Sequence, residues 1–138
     1  QRTDLENTID DLGSNSPFTA LVINLTSIHA DKAFSKVPYV KGSLFLWYLE
    51  GLVGEENMDG FLRSYYQTFK YKSISSGKFR EYFMSYFSSE PDIIHIDWDY
   101  WLYGRGMPVY EPDYYSKIPL NEFNNEKLLK EVRKIMKN

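Results

Sequence analysis

A mainly α fold is what this sequence predicts, and three observations predict it. Two segments carry large apolar residues at helical spacing: Met58, Phe61, Leu62, Tyr65, Tyr66 and Phe69 in one, Phe79, Tyr82, Phe83, Tyr86 and Phe87 in the other. A third, from Ser43 to Val53, is apolar nearly all the way round, which suits a helix in the centre of an assembly. Serine, aspartate and glycine stand where helices should start and stop.

Taken in chain order, Leu5, Ile9 and Leu12 lie on one face of a first helix that stops at Gly13, and Ser14 to Pro17 form the following loop. Leu21 to Leu25 is a short apolar segment, extended or irregular. Ile28 to Phe34 holds about one helical turn around Asp31 and Phe34, and a loop at Tyr39 follows it. After the central apolar helix come the two aromatic-striped ones, the second capped by Ser75 or Ser76. Asp97 caps a short helix through Trp98, Tyr100, Trp101 and Leu102 that ends near Gly104 and Gly106. Met107 to Pro119, with three prolines, reads as an exposed linker, and Leu128, Leu129, Val132, Ile135 and Met136 mark a last helix from about Asn121 to Lys137.

Composition excludes several function classes. At 138 residues and 43% hydrophobic the chain can bury one compact core, and a formal charge of -3 offers no electrostatic reason to bind nucleic acid. The basic residues of the last helix are interleaved with Glu126 and Glu131, the pattern of a solvated face. Aromatic stripes that alternate with polar faces are core-facing helices before they are stacking platforms for bases. The longest apolar stretch, Leu44 to Leu49, is only about two turns, so no membrane span is expected. The cysteine-free composition suits a reducing, cytoplasmic compartment and leaves disulfides out of the stability. Asn24-Leu25-Thr26 matches the glycosylation acceptor pattern, one that is common by chance.

The chemistry-bearing stretch is Val37-Pro38-Tyr39-Val40-Lys41-Gly42. Proline stiffens the approach to the tyrosine, and glycine three residues on lets another backbone come close. A phenol so aimed stays protonated at neutral pH and can donate a hydrogen bond to a developing oxyanion. The chain has 12 tyrosines, so amphipathic packing is the alternative for any one of them. No serine, histidine and carboxylate combination suggests a nucleophile, and Asp97 and Asp99, two apart on a helix, point away from each other. The two histidines, His29 and His95, have no second histidine at ligand spacing and no cysteine to complete a zinc site.

Pro17-Phe18-Thr19, then Val37 to Gly42, then Asp97-Trp98-Asp99-Tyr100-Trp101-Leu102-Tyr103 and Gly106-Met107-Pro108 follow one another in an order that resembles the gluzincin zinc aminopeptidases. Tyr39, Lys41 and Gly42 match the wider family, whereas the Pro17 to Thr19 stretch and the Trp101 to Pro108 ending resemble its leukotriene A4 hydrolase and aminopeptidase B branch. The resemblance covers roughly residues 4 to 112 and rests on the combination, since Tyr-x-Lys-Gly alone is too short to be specific.

That resemblance implies the helical lobe of a thermolysin-like metallopeptidase catalytic domain. Family members bind zinc through H-E-x-x-H on one helix and a glutamate on the next, and this sequence contains no such motif. The resemblance therefore implies a fragment of a larger zinc enzyme, inactive alone and binding no zinc itself. Residues 1–108 would belong to the catalytic domain, 109–119 to a linker, and 120–138 to a helix opening a following helical domain. In the parent, zinc would activate water, an upstream glutamate would take its proton, and Tyr39 would stabilise the tetrahedral oxyanion formed from a peptide substrate. Asp31 and Phe34 match a stretch that lines the substrate pocket, where an aspartate is associated with directing water onto a lipid epoxide. Phe34 departs from the tyrosine of the leukotriene enzymes, which ranks peptide hydrolysis ahead of epoxide hydrolysis. A solvated loop carboxylate or a helix cap is the plain alternative for Asp31. For the whole parent, the alternative is a non-catalytic interaction scaffold.

Overall fold

The structure is a computed structural model that describes residues 2–26, 31 and 34–110. Among the described residues, five α-helices and two short 3-10 segments of three or more residues are formed, and no strand occurs. They are α1 (Arg2–Leu12), a 3-10 turn at Pro17–Thr19, α2 (Val37–Val53), α3 (Glu55–Phe69), α4 (Ser76–Tyr86), a 3-10 turn at Pro91–His95 and α5 (Trp98–Tyr103). The expected last helix, most of the expected linker, Ile28 and His29 lie outside the described residues.

The central helix is where the apolar run predicts it, but it starts earlier. The expected loop at Tyr39 is instead the first turn of α2, which begins at Val37. Proline at the second position of a helix loses no hydrogen bond, because the first N–H groups have no partner in the helix, and its fixed φ suits the turn. The Ser35 hydroxyl accepts from the Val37 N–H at 3.2 Å, giving one of those groups a partner. At its other end α2 passes into α3 through Gly54 alone, whose φ of 88° is a conformation that side-chain-bearing residues rarely take.

Leu5 and Ile9 of α1 meet Val37, Leu44, Phe45, Leu49 and Val53 of α2, and Met58 and Phe61 of α3 join the same core. Phe83 of α4, then Phe87, Ile93 and Ile96, close it from below, and Trp98, Trp101 and Leu102 of α5 complete it. Ser75 caps α4 by accepting from the Lys78 N–H, and Asp97 caps α5 by accepting from the Tyr100 N–H, each as the sequence predicts. Trp98 bridges α2 and α4, lying edge-on to Phe45 at 5.5 Å and to Phe83 at 5.8 Å.

Three expectations about burial need correcting. The aromatic stripes are wider than the core they feed, since Leu62, Tyr66 and Tyr86 are exposed. The central helix is likewise not covered all round, because Leu46 and Trp47 face outward. Beyond Gly106 the chain stays on the core further than the linker reading has it: Tyr110 packs edge-on to Tyr48 at 5.5 Å, while Val109 is exposed.

Candidate functional site

The site is built on the first two turns of α2. Successive helical residues turn by about 100°, so residues two apart lie on nearly opposite sides. Lys41 points inward and Tyr39 outward: Lys41 is 2% exposed and Tyr39 69% exposed.

Tyr39 stands on the rim of an open groove of about 450 Å³ whose wall is mostly apolar, with Pro38, Gly42, Phe45 and Leu46 from α2, Phe79 from α4 and Leu102 from α5. A second hollow of about 220 Å³ continues along α2 between Leu46, Trp47 and Glu50 on one side and Met58 and Leu62 on the other. Ser43 and Leu46 line both, so the exposed face of α2 forms one long apolar trough with the phenol at its upper end. A hydroxyl beside an apolar wall can orient a substrate and donate to a polar atom held there.

Gly42 is not where a backbone comes close. A β-carbon at that position would meet only a Leu21 methyl at 3.8 Å, an ordinary contact. Gly42 is instead one of the residues that line the groove.

Asp31 and Phe34 sit in the same turn ahead of α2, joined by a Phe34 N–H to Asp31 carbonyl bond of 3.4 Å. Both are exposed, Phe34 at 83%, and neither lines the groove that Tyr39 borders. His95 is exposed in the 3-10 turn after α4. Among the described residues no three or more histidine, cysteine, aspartate or glutamate side chains come together to hold a metal. They do not fit a zinc site of their own.

The residue that pattern-reading gave no role is Lys41. Its ammonium donates to three backbone carbonyls, Thr19 at 2.9 Å, Gly104 at 2.7 Å and Gly106 at 3.0 Å. Burial pulls it down to about 8 from the ordinary lysine value, and no carboxylate is among the three acceptors. Thr19 ties the acceptors together, its hydroxyl accepting from the Gly106 N–H at 2.8 Å and donating to the Ser16 carbonyl at 2.7 Å. Gly104 and Gly106 are required by this geometry. A β-carbon at Gly104 would lie 2.2 Å from the Tyr100 carbonyl oxygen, and Gly106 has a φ of 75° with the Ser14 carbonyl 3.1 Å from where its β-carbon would be. A signal was present in the sequence: Lys41 has Val37, Pro38, Leu44 and Phe45 at the neighbouring helical positions, so no acid on its own helix can pair with it.

The separate motif pieces, Pro17 to Thr19, Tyr39 to Gly42 and Gly104 to Gly106, therefore meet at one ammonium. Known proteins similar to this chain point to one family. The profile of the Peptidase family M1 domain matches residues 2–101. A leukotriene A-4 hydrolase from Xenopus laevis is 42% identical over 113 residues, which are 80% of this chain and 19% of that protein. Leucine aminopeptidase 2-1 of Meyerozyma guilliermondii is 42% identical over 115 residues, 81% of this chain and 19% of that protein. Among solved structures, yeast LTA4 hydrolase in complex with bestatin superposes with a TM-score of 0.73 at 36% identity, covering 79% of this chain and 18% of that one. The chain spans about a fifth of the length of the curated relatives it matches.

Proposed function

The chain belongs to peptidase family M1, and from that premise we propose that it supplies the oxyanion-stabilising tyrosine of a zinc aminopeptidase. The substrate is a peptide with a free amino terminus, and the zinc ligands and general base come from parts of the protein outside these 138 residues. One observation carries the reading. Tyr39 projects from the first turn of α2 at the edge of an apolar groove, while the residue two places on is locked into the core.

When bound by the rest of the protein, zinc supplies the activation of water. The contribution of this chain is geometric and electrostatic. Attack on a peptide carbonyl places negative charge on its oxygen, and a phenol held at that position donates a hydrogen bond that strengthens as the charge develops. Such a donor is worth roughly 3 to 4 kcal/mol of transition-state stabilisation. Phe45, Leu46 and Phe79 give that bond an apolar surface on one side.

Aminopeptidase activity ranks ahead of epoxide hydrolysis in this reading. Asp31 remains the candidate for positioning substrate, but Phe34 stands where the leukotriene enzymes have tyrosine, and both lie outside the groove of Tyr39.

The test is turnover of an aminoacyl amide and of leukotriene A4 by the full-length enzyme, with zinc content measured on the same sample, for the wild type and Tyr39→Phe. The expected result is undiminished zinc and a loss of about 100- to 1000-fold in peptidase kcat for the variant. Near-normal peptidase turnover by Tyr39→Phe with zinc retained would refute the role, and turnover of the lipid alone by the wild type would reverse the order of substrates.

A further inference from the structure

We propose that Lys41 is the positioning residue that aims Tyr39, acting through the three carbonyls it gathers from Thr19, Gly104 and Gly106. This rests on the catalytic reading of Tyr39 and deepens it.

The energetics favour a role beyond packing. Taking an ammonium out of water costs several kcal/mol, and an apolar side chain of similar length would avoid that penalty but leave three carbonyls without this donor. What an ammonium offers in its place is direction. Three convergent N–H bonds fix the end of the side chain at three points, and they reach segments 22, 63 and 65 residues away in sequence.

The place where that direction is applied matters. The start of a helix is its least constrained part, because its first N–H groups have no helical partners. In α2 the Tyr39 and Val40 N–H groups both reach the same carbonyl, that of Lys36, each at 3.1 Å. The phenol thus stands on the first turn of the helix, where side-chain contacts supplement an incomplete helical ladder. Lys41 lies two residues on and nearly opposite, so anchoring its side chain opposes the one motion that would re-aim Tyr39, rotation of the turn about the helix axis. The anchor itself is stiff, since the Thr19 hydroxyl joins the Gly106 loop to the Ser16–Thr19 turn. An oxyanion donor displaced by about 1 Å forfeits on the order of 100-fold in rate.

The experiment is a double-mutant cycle on kcat and KM in the full-length enzyme, with Lys41→Met and Thr19→Val each made in the wild type and in the Tyr39→Phe background. Lys41→Met removes the three donors but keeps an unbranched side chain. Thr19→Val keeps the shape and removes only the hydroxyl that braces the anchor. In the wild type, Lys41→Met is expected to lower kcat by about 100-fold and Thr19→Val by about 10-fold, with KM changed less than about threefold. In the Tyr39→Phe background, where no phenol is left to misplace, each is expected to change kcat by less than about threefold.

A residue that merely holds the fold together would give the same loss in both backgrounds, and that result overturns the positioning role while leaving Tyr39 catalytic. Should Lys41→Met fail to fold by circular dichroism, Thr19→Val decides between the same two outcomes. Unimpaired turnover by Tyr39→Phe itself would overturn the catalytic reading and this one with it.

Discussion

Lys41 at the centre of its anchor and Phe61 at the centre of the aromatic cluster are both buried, and they are held in opposite ways. Phe61 has six rings about it, from Phe83 at 5.1 Å to Phe79 at 5.9 Å, with Tyr65, Tyr82, Tyr86 and Phe87 between. No single pair there is indispensable, because dispersion and area burial are summed over many weak contacts. At Lys41 three strong, directed bonds do all the holding, and two of their acceptors are carbonyls of glycines whose backbone admits no other residue without movement. The cluster gives the molecule its stability, whereas the anchor gives one turn of α2 its orientation.

The largest effect that separates them is expected from Phe61→Ala. Removing a ring from the middle of six others leaves a cavity that its neighbours, themselves packed, cannot fill, and the cost is about 3 to 5 kcal/mol in unfolding free energy. Urea denaturation of the chain measures it. A loss under about 1 kcal/mol would mean that the cluster relaxes freely and is not the stabilising centre.

Next comes Gly104→Ala. Its new methyl would meet the Tyr100 carbonyl, so the backbone that hands carbonyls to Lys41 has to move, at a cost of roughly 1 to 3 kcal/mol. The effect on kcat in the full-length enzyme is expected to be disproportionately large, which is the mark of an orienting region. Phe61→Ala, despite costing more stability, should leave kcat of the folded fraction within a few-fold.

A smaller effect distinguishes the regions by pH. Burial brings Lys41 down to about 8 from 10.5, so above pH 8 the folded chain gives up this proton before the unfolded chain does. The unfolded state then binds more protons, and unfolding free energy rises with pH; below pH 8 both states hold the proton and the group gives no slope. Between pH 8 and about 9.5 the rise from this group is about 1 to 2 kcal/mol. In the cluster, burial raises Tyr65, whereas the hydrogen bonds Tyr82 makes with Ser64 and Thr68 lower it. Urea midpoints across that window should rise more steeply for the wild type than for Lys41→Met, which keeps only the slope of groups such as Tyr82. Parallel curves for the two would show that the proton released is not that of Lys41.

The two regions also differ in how far the sequence discloses them. The period of Met58, Phe61 and Tyr65, and of Phe79 and Phe83, declares the helices of the cluster, because amphipathic spacing is local and repeated. Caps at Ser75 and Asp97 are legible for the same reason, since a side chain that bonds a backbone group three residues on is a local event. How wide a face is covered is not local. Leu62, Tyr66, Leu46 and Trp47 have the same residue character as their buried neighbours, and only the packing shows them exposed. The start of α2 was hidden by Pro38, which signals a loop by composition yet fits a first helical turn by geometry. Lys41 was visible as a charge among apolar neighbours, but its acceptors are main-chain carbonyls, which every residue carries, so sequence cannot name them.

The smallest predicted effect addresses why glycine stands beside the lysine. If Gly42 served close packing, Gly42→Ala would destabilise the chain. The structure predicts the opposite sign. The added methyl meets only a Leu21 side chain at 3.8 Å, and alanine in a helix interior is more stable than glycine by about 0.5 to 1 kcal/mol. Gly42 is also one of the residues lining the groove beside Tyr39. Gly42→Ala is therefore expected to raise the melting temperature by a few degrees and to raise KM for peptide in the full-length enzyme, with kcat changed less. A lower melting temperature would return Gly42 to the anchor as a packing residue. A higher one with unchanged KM would mean that substrate does not lie against Gly42.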